Sequence, residues 1–553
     1  MANFKTNAEE NTRHWLDKAK LSGAGTAEHD ETIIGETSFM PSVSYGGSGI
    51  RSIVSNGYVL GAAVLASLGG FSMGYDMGVI SLINNMDQFH ARYPFAKTSF
   101  GEEFMTAMLL LGAFVGCIFM PFMADRYSRK WAITVCVVIF DIGAIIQTAA
   151  PNYAALIVGR FIGGIGVGTL AMGAPLYISE ISPPNIRGTL LVLESISITG
   201  GVVIAYWITF GTLRIPSEVS FRLPFGLQMI TATALGTGIH FFPYSPRWLA
   251  LVDRSDDCLK SLGKLRGLPE NDERVQAEFH GVMAEVNFQK LIQQKRHPGA
   301  TGVKLEYLQW MDLFSRKLWR RTIVGVGVGF FQQFSGINAF IYYAPTLFTS
   351  LGQSTEQSRV LSGVFDCLQF VASIICFFII DKVGRRSLAI WGGFCSATAY
   401  GIIAILAGLF EDDWLGHKSA GWACVAMAFI FIMIYGVSYS PLGWALPAEV
   451  FSTSNRSKGV ALSTCTIWLA DFIVGIATPS MLDSITYGTY IFFAAMCFLA
   501  GLWAYFLVPE TSGKTLEELD DVFGDTSGQE ERDIVAEAVA YQHSHAMIVS
   551  ASS

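Results

Sequence analysis

The sequence predicts an all-α membrane protein with twelve transmembrane helices in two six-helix halves, joined by a cytoplasmic helical linker. Three observations support this fold class. Of the 553 residues, 51% are hydrophobic and only 15% are charged, whereas a soluble protein carries about 25% charged residues. The apolar residues form runs of the length that a bilayer-spanning helix needs, about 20 residues. Motifs in the first half of the chain also recur in the second half.

The twelve apolar runs fall into two sets of six, within residues 57–243 and 322–508. Their approximate bounds are 57–83, 104–123, 131–150, 153–177, 190–211, 224–243, 322–349, 359–380, 387–410, 420–447, 460–482 and 487–508. Each run ends at charged or turn-forming residues, as expected where a helix leaves the bilayer. We number the predicted spans in this order.

Three hydrophilic segments complete the chain: an N-terminal tail (1–56), a central linker (244–321) and a C-terminal tail (509–553). The linker is rich in Lys and Arg and is expected to form short amphipathic helices. The loops on the side of both termini also carry more Lys and Arg than the loops on the other side. Because positive charge marks the cytoplasmic face, we expect both tails to be cytoplasmic.

The two halves carry matching motifs, which suggests duplication. The segment ADRYSRK (124–130) follows the second run, and DKVGRRS (381–387) follows the eighth. Glu180 precedes Arg187 by seven residues, and Glu449 precedes Arg456 by the same distance. Parallel six-helix halves that flank a site at the bilayer midplane are one repeat plan of secondary transporters.

Several function classes are excluded by the composition. The net charge of −8 leaves no basic stripe that could follow a phosphate backbone, so no nucleic-acid partner is expected. The nine histidines show no metal-ligand spacing, and no nucleophile motif is present. We therefore expect neither an enzyme, nor a bound metal, nor a cofactor.

Eight motifs, in the same order along the chain, resemble those of the sugar porter family of the major facilitator superfamily. The resemblance covers nearly all of residues 57–523 and is strongest to fungal hexose and monosaccharide transporters. The motifs are GYDMGVIS (74–81), GRFIGGIGVG (159–168), PLYISEISPPNIRG (175–188), SPRWLA (245–250), QQFSGINAFIYYAPTLF (332–348), DKVGRR (381–386), WALPAEVFSTSNR (444–456) and VPETSGKTLEEL (508–519).

This resemblance implies a sugar transporter of the plasma membrane that works by alternating access. Its expected partners are a sugar, protons and the lipid bilayer. A proton-coupled monosaccharide symporter is favoured, while a facilitator and a sugar sensor without flux stay open as alternatives. The fifth, eighth and eleventh spans depart from the family pattern, since Ser195, Gln369, Ile467 and Asp471 stand where glutamine or asparagine is usual. A pentose, a disaccharide such as sucrose or a sugar acid therefore also stays open.

A sugar site needs amides that replace the hydrogen bonds of water and aromatic rings that cover the apolar face of the sugar. Amides cluster in the seventh span around Gly336, where we expect the helix to break. The predicted sugar-binding residues are Gln332, Gln333, Asn338, Tyr342, Gln369, Trp444, Trp468 and Asp471. The alternative is that such amides only link helices, at about 0.6 kcal/mol per bond.

Charged residues within the spans form a second group of candidates. Asp76 in the first span and Arg160 in the fourth each cost about 2.5 to 3.5 kcal/mol at the bilayer centre and require a partner. The family resemblance implies that they form an ion pair in which the aspartate takes up and releases the coupled proton. Asp141 and Glu194 also lie within apolar runs, and for these two we prefer structural roles.

The charges at the cytoplasmic ends of the spans suggest a gate. Glu180 and Arg187 in one half, and Glu449 and Arg456 in the other, could pair with Asp125, Arg129, Asp381 and Arg385 when the cytoplasmic side is closed. Exposed pairs contribute under about 1 kcal/mol each, so only a network of them could bias two conformations. The alternative is that these charges serve topology alone.

Overall fold

A computed structural model describes residues 57–183, 187–451 and 455–511, with Leu519, Val522 and Phe523. The side chains of residues 187–192 and of Asp381 are not among the described ones. The predicted N-terminal tail and most of the C-terminal tail also lie outside the described residues. The described residues belong to one compact unit.

The described chain contains twelve spans, which confirms the predicted fold class. The first six are Gly57–Ile83, Ser99–Tyr127, Arg129–Ala149, Tyr153–Ile181, Arg187–Thr212 and Val219–Gly238. The seventh is Trp319–Phe334 with Ile337–Ser350, and the eighth and ninth are Thr355–Val383 and Arg385–Phe410. The tenth is Lys418–Val437 with Tyr439–Val450, and the last two are Arg456–Ile485 and Tyr487–Leu507.

The sixth span differs most from its predicted bounds, 224–243. Eleven segments of the described chain are long and apolar enough to cross a membrane, and Val219–Gly238 is not among them. Its first turns carry Arg222, which pairs with Glu218 at 2.8 Å and also bonds to the carbonyl of Thr148. These partners allow the helix to begin before its apolar run. It packs against the first and third spans.

The seventh span is broken at Gly336, as the sequence predicts. Gly336 has a φ of +83°, a left-handed conformation that glycine adopts without strain. Any side chain there would also meet the Tyr400 hydroxyl and the Phe493 ring, at 2.6 and 2.7 Å from the added Cβ. A second irregularity lies at Tyr343, two residues before Pro345, which cannot donate a helical hydrogen bond.

The tenth span is also broken, although the apolar run 420–447 predicted one continuous helix. The break is at Ser438, whose hydroxyl donates to the carbonyl of Ile434 at 2.7 Å. Pro441 follows three residues later and has no N–H for the carbonyl of Val437. The combination of an i−4 serine bond and a proline explains the interruption.

Glycines bring the first and fifth spans into close contact. A Cβ added to Gly74 would collide with the backbone of Ile198, and one added to Gly78 would collide with Val202. Between the two halves, the second span packs against the eleventh, the fifth against the eighth, and Ile337–Ser350 against the first.

The linker forms four helices, Pro246–Leu251, Ser255–Arg266, Glu273–Arg296 and Gly302–Asp312. The first three share a small apolar core. Arg266 forms a buried ion pair with Glu278 at 2.6 Å and donates to the carbonyl of Ile181 at 2.8 Å. These bonds fasten the linker to the end of the fourth span.

Candidate functional site

Asp76 and Arg160 lie against each other in the interior of the N-terminal half. Arg160 Nη1 is 3.2 Å from Asp76 Oδ1, and both side chains are at most 1% exposed. Arg160 Nε also donates to the carbonyl of Met105 at 3.1 Å. The second carboxylate oxygen of Asp76 has no hydrogen-bond partner. One oxygen is therefore held by the guanidinium, while the other can accept a proton.

The amides of the seventh span converge at its break. Asn338 donates to Gln333 Oε1 at 2.7 Å across the break. The Gln332 amide donates to the carbonyls of Tyr439 and Ser440, at 3.2 and 3.1 Å. These two carbonyls follow the break in the tenth span, and Gln332 Oε1 has no partner. The side chain of Gln332 therefore connects the two helix breaks by hydrogen bonds.

Tyr342 and Asp471 join the seventh span to the eleventh. The Tyr342 hydroxyl donates to Asp471 Oδ2 at 3.0 Å, and both side chains are buried. Asp471 Oδ1 has no partner. The free oxygen is a hydrogen-bond acceptor of the kind that a sugar hydroxyl satisfies.

Three further predicted sugar-binding residues are Gln369, Trp444 and Trp468. Gln369 and Trp468 are buried, with a carbonyl oxygen and an indole N–H that lack partners, while Trp444 is half-buried. In the described part of the chain, none of the three forms a hydrogen bond with the seventh-span amides.

Five of the charges proposed as a gate form ion pairs within their own half. Arg129 contacts Glu180 at 2.8 Å and Asp125 at 3.1 Å, and Arg385 contacts Glu449 at 2.9 Å. Glu180 also accepts a bond from Ser245 of the linker, and Glu449 accepts one from Thr511 at 2.6 Å. The side chains of Arg187 and Asp381 lie outside the described set, and Arg456 begins the eleventh span.

Hydrogen bonds join the two halves at the opposite face, where the first span ends. Glu103 accepts bonds from the backbone N–H and the hydroxyl of Ser480, and Ser99 contacts Asp483. Arg359 donates to the carbonyl of Asn85 at 3.3 Å. Nothing in the sequence pattern indicated these contacts, because they join loops and helix ends that carry no repeated motif.

The described residues contain no group of three His, Cys, Asp or Glu side chains that could hold a metal ion. Buried amide and carboxyl groups with unpaired hydrogen-bonding atoms instead lie on the first, seventh and eleventh spans. Such a set can exchange hydrogen bonds with a polar, uncharged molecule and can accept a proton.

A family model described as "Sugar (and other) transporter" matches residues 62–523. The chain belongs to this sugar transporter family. Membership places it among membrane transporters rather than enzymes, and it confirms the family that the eight motifs indicate.

Curated members of the sugar transporter family match most of the chain. The "High-affinity glucose transporter" of Kluyveromyces lactis is 32% identical, over 85% of this chain and 86% of that protein. The "Sugar transporter STL1" of Saccharomyces cerevisiae is 34% identical, over 83% of this chain and 80% of that protein.

Solved structures of sugar transporters have the same fold. The proton:xylose symporter XylE bound to 6-bromo-6-deoxy-D-glucose matches with a TM-score of 0.70 and 24% identity, over 84% of this chain and 99% of that one. The inward-open xylose transporter XylE from E. coli matches with a TM-score of 0.66 and 25% identity, over 84% and 100%. These matches agree with the twelve-span architecture.

Proposed function

We propose that this chain is a proton-coupled monosaccharide symporter of the plasma membrane, with a hexose as its favoured substrate. The observation that carries the proposal is the buried Asp76–Arg160 pair, in which one carboxylate oxygen has no partner. A buried ion pair is costly unless every charge is satisfied. The unused oxygen therefore marks this pair as a place where a proton can enter.

Proton uptake has a direct consequence for the pair. Protonation of Asp76 removes the negative charge that holds Arg160, and the guanidinium then retains only its bond to the Met105 carbonyl. Because a buried unpaired charge is strongly unfavourable, Arg160 must reorient or gain a new partner. This change lies at the junction of the first and fourth spans, which pack against each other, so it can alter helix packing within the N-terminal half.

The sugar is proposed to bind at the two helix breaks of the C-terminal half. Gln332 Oε1 and Asp471 Oδ1 are acceptors without partners, and the Gln333 and Asn338 amides lie beside them. The relatives named as glucose and hexose transporters support a hexose. The departures from the family pattern at residues 195, 369, 467 and 471 keep a pentose, a disaccharide and a sugar acid as substrates to be tested.

Alternating access is supported by the distribution of contacts. The halves are joined at the face of Glu103 and Ser480, while at the other face Arg129 pairs with Glu180 and Arg385 pairs with Glu449, each within its own half. A rigid-body movement of one half against the other would separate the halves at the joined face and bring them together at the other face. We propose that the joined face is extracellular and that both termini are cytoplasmic.

The experiment that tests the proposal is uptake of labelled glucose, fructose, xylose and sucrose into cells that lack their own sugar transporters. We expect one of these sugars to accumulate above its external concentration, and a protonophore to abolish the accumulation. Uptake that only equilibrates, with no protonophore effect, would establish a facilitator. Surface-exposed protein without uptake of any sugar would favour the sensor.

A further inference from the structure

Glu194 is a buried acid of the fifth span for which neither carboxyl oxygen has a hydrogen-bond partner among the described residues. The side chain is only 4% exposed. It lies seven residues into the fifth span, about 10 Å along the helix axis from Arg187. Burial has removed the hydrogen bonds of this carboxyl group to water, and the described part of the chain supplies no hydrogen bond in their place.

The side chain of Glu194 packs against the first span at Gly70. A Cβ added to Gly70 of the first span would lie 2.9 Å from the Glu194 Cγ and 3.0 Å from Ile198, so the stem of the glutamate packs against this glycine. Glycine at position 70 thus leaves room for the side chain at the seam between the first and fifth spans.

The fifth span packs against the first, fourth, sixth and eighth spans, and their charged groups are engaged elsewhere or do not bond to Glu194. Asp76 pairs with Arg160, Glu180 with Arg129, and Arg222 with Glu218. Tyr75 on the first span and Asp366 on the eighth form no hydrogen bond with Glu194 in the described structure. The titratable groups on the neighbouring spans also include Tyr177, three residues from Ala174, which packs at Gly69; the Tyr177 hydroxyl donates to the carbonyl of Pro243 at 2.8 Å.

An ionised carboxylate without a partner is not tolerated in such a place, because burial of an unpaired charge costs far more than burial of the neutral acid. In the conformation described here, the Glu194 carboxyl must therefore be neutral and carry its proton. It can ionise only in a conformation that brings water or a cation to it.

We propose that Glu194 is a second proton-binding carboxyl of the transport cycle, in addition to Asp76. This inference rests on the proposed symport. On the loading side, a proton from water forms an O–H bond with the Glu194 carboxylate. On the release side, that O–H bond breaks and the proton returns to water.

The two acids lie at different faces of the first span. Asp76 follows Gly70 by six residues, which places the two positions about 120° apart around the first span. Asp76 therefore faces the fourth span through Arg160, while Glu194 contacts the first span from the fifth. Each proton can thus be taken up without competing for the partner of the other.

The test uses purified protein in liposomes with a pH gradient of one unit and with the membrane potential clamped to zero. Labelled glucose, fructose, xylose and sucrose are supplied, and the accumulation ratio at steady state is measured for the sugar that the wild-type protein concentrates. Each coupled proton contributes 1.36 kcal/mol per pH unit, which is tenfold in the ratio. Wild-type protein is expected to reach about 100-fold, and Glu194→Gln about tenfold.

The control variant is Asp141→Asn, since Asp141 is an acid of the third span that already accepts a bond from Thr233 at 2.8 Å. It is expected to retain the wild-type ratio. Glu194→Asp keeps a titratable group and is expected to restore the higher ratio.

The outcomes separate this inference from the proposed symport. No accumulation by wild-type protein would overturn both. A wild-type ratio near tenfold would overturn only the second proton, and so would equal ratios for wild type and Glu194→Gln. A wild-type ratio near tenfold overturns the second proton even if the glutamine variant does not fold.

Discussion

The two halves of this transporter share one architecture but differ in how their helices are interrupted. Each described span of the N-terminal half is one uninterrupted helix, whereas the seventh and tenth spans of the C-terminal half break at Gly336 and Ser438. The breaks turn backbone carbonyls and amide side chains toward each other. The N-terminal half instead places charged side chains, Asp76 and Arg160, between intact helices.

This difference suggests that the two halves have different functions in transport. Broken helices supply many neutral hydrogen-bonding groups in a small volume, which suits a sugar. Intact helices hold one ion pair in a fixed geometry, which suits a proton. The two halves share one helical architecture, as duplication would give, but the residues of their candidate sites differ.

The repeated charged turns show a second difference between the halves. At the turn before the ninth span, Gly384 has a φ of +87°, and Glu510 accepts bonds from the backbone N–H groups of Arg385 and Arg386, at 2.8 and 3.2 Å. At the equivalent turn before the third span, Ser128 has a φ of +120° and caps the helix with its own hydroxyl. A serine in this conformation is strained.

The largest expected effect is that of Asp76→Asn, which removes the proposed proton site of the N-terminal half. A potential of 100 mV supplies about 2.3 kcal/mol per charge, enough for nearly fiftyfold accumulation. We expect the accumulation ratio in liposomes to fall by at least the factor that one coupled proton contributes, while exchange of labelled for unlabelled sugar continues. Accumulation at the wild-type level would remove Asp76 from the coupling mechanism.

The next largest effect concerns the charged pairs at the turns before the third and ninth spans. The side chains of Arg129 and Glu180 are 6% and 4% exposed, whereas Glu449 is 29% exposed. Glu180→Gln breaks the more buried pair and is expected to cost about 3 to 5 kcal/mol of stability. Glu449→Gln is expected to cost about 1 to 2 kcal/mol.

Thermal unfolding of the two purified variants in one detergent measures this difference. Glu180→Gln should show the larger decrease in the unfolding midpoint. Equal decreases would mean that the two halves depend on their charged turns to the same extent.

A smaller effect is expected for Gln333→Ala, which removes an amide from the break in the seventh span. Loss of one hydrogen-bonding group in a buried polar site costs about 1 to 2 kcal/mol, so KM should rise about tenfold with surface expression unchanged. Gln276→Ala in the linker, where the amide bonds only to the Glu270 carbonyl at 2.7 Å, is the matched control. An unchanged KM would place the sugar elsewhere.

An effect of similar size but opposite sign is expected for Ser128→Gly, which introduces into the N-terminal half the residue type found at Gly384. Relief of the positive φ stabilises by about 1 to 3 kcal/mol, and loss of the serine cap to glycine costs a few tenths. The unfolding midpoint should therefore increase. Gly384→Ala should lower it, because a Cβ there would lie 2.5 Å from the Glu510 carboxylate. A midpoint lowered by Ser128→Gly would contradict the strain argument.

Sequence patterns predicted the number of spans, the two halves and the break at Gly336. They did not predict the break at Ser438, since only the pairing of Ser438 with Pro441 within an apolar run pointed to it. They also assigned Glu194 a structural role, because a run of apolar residues does not reveal whether a neighbouring helix offers a partner. The role of each candidate site residue stays a prediction.

By itself, the sequence determined that the chain enters the membrane and how often it crosses. Hydrophobicity and helix-breaking residues act locally, so their effects are visible in order along the chain. Only the tertiary structure shows the contact between Arg160 and an aspartate 84 residues away, which the family resemblance implied, and shows that Glu194 bonds to none of the charged side chains in the described part of the chain. Partner choice depends on the rotation of each helix about its axis, and that rotation is fixed jointly by the packing of all its neighbours.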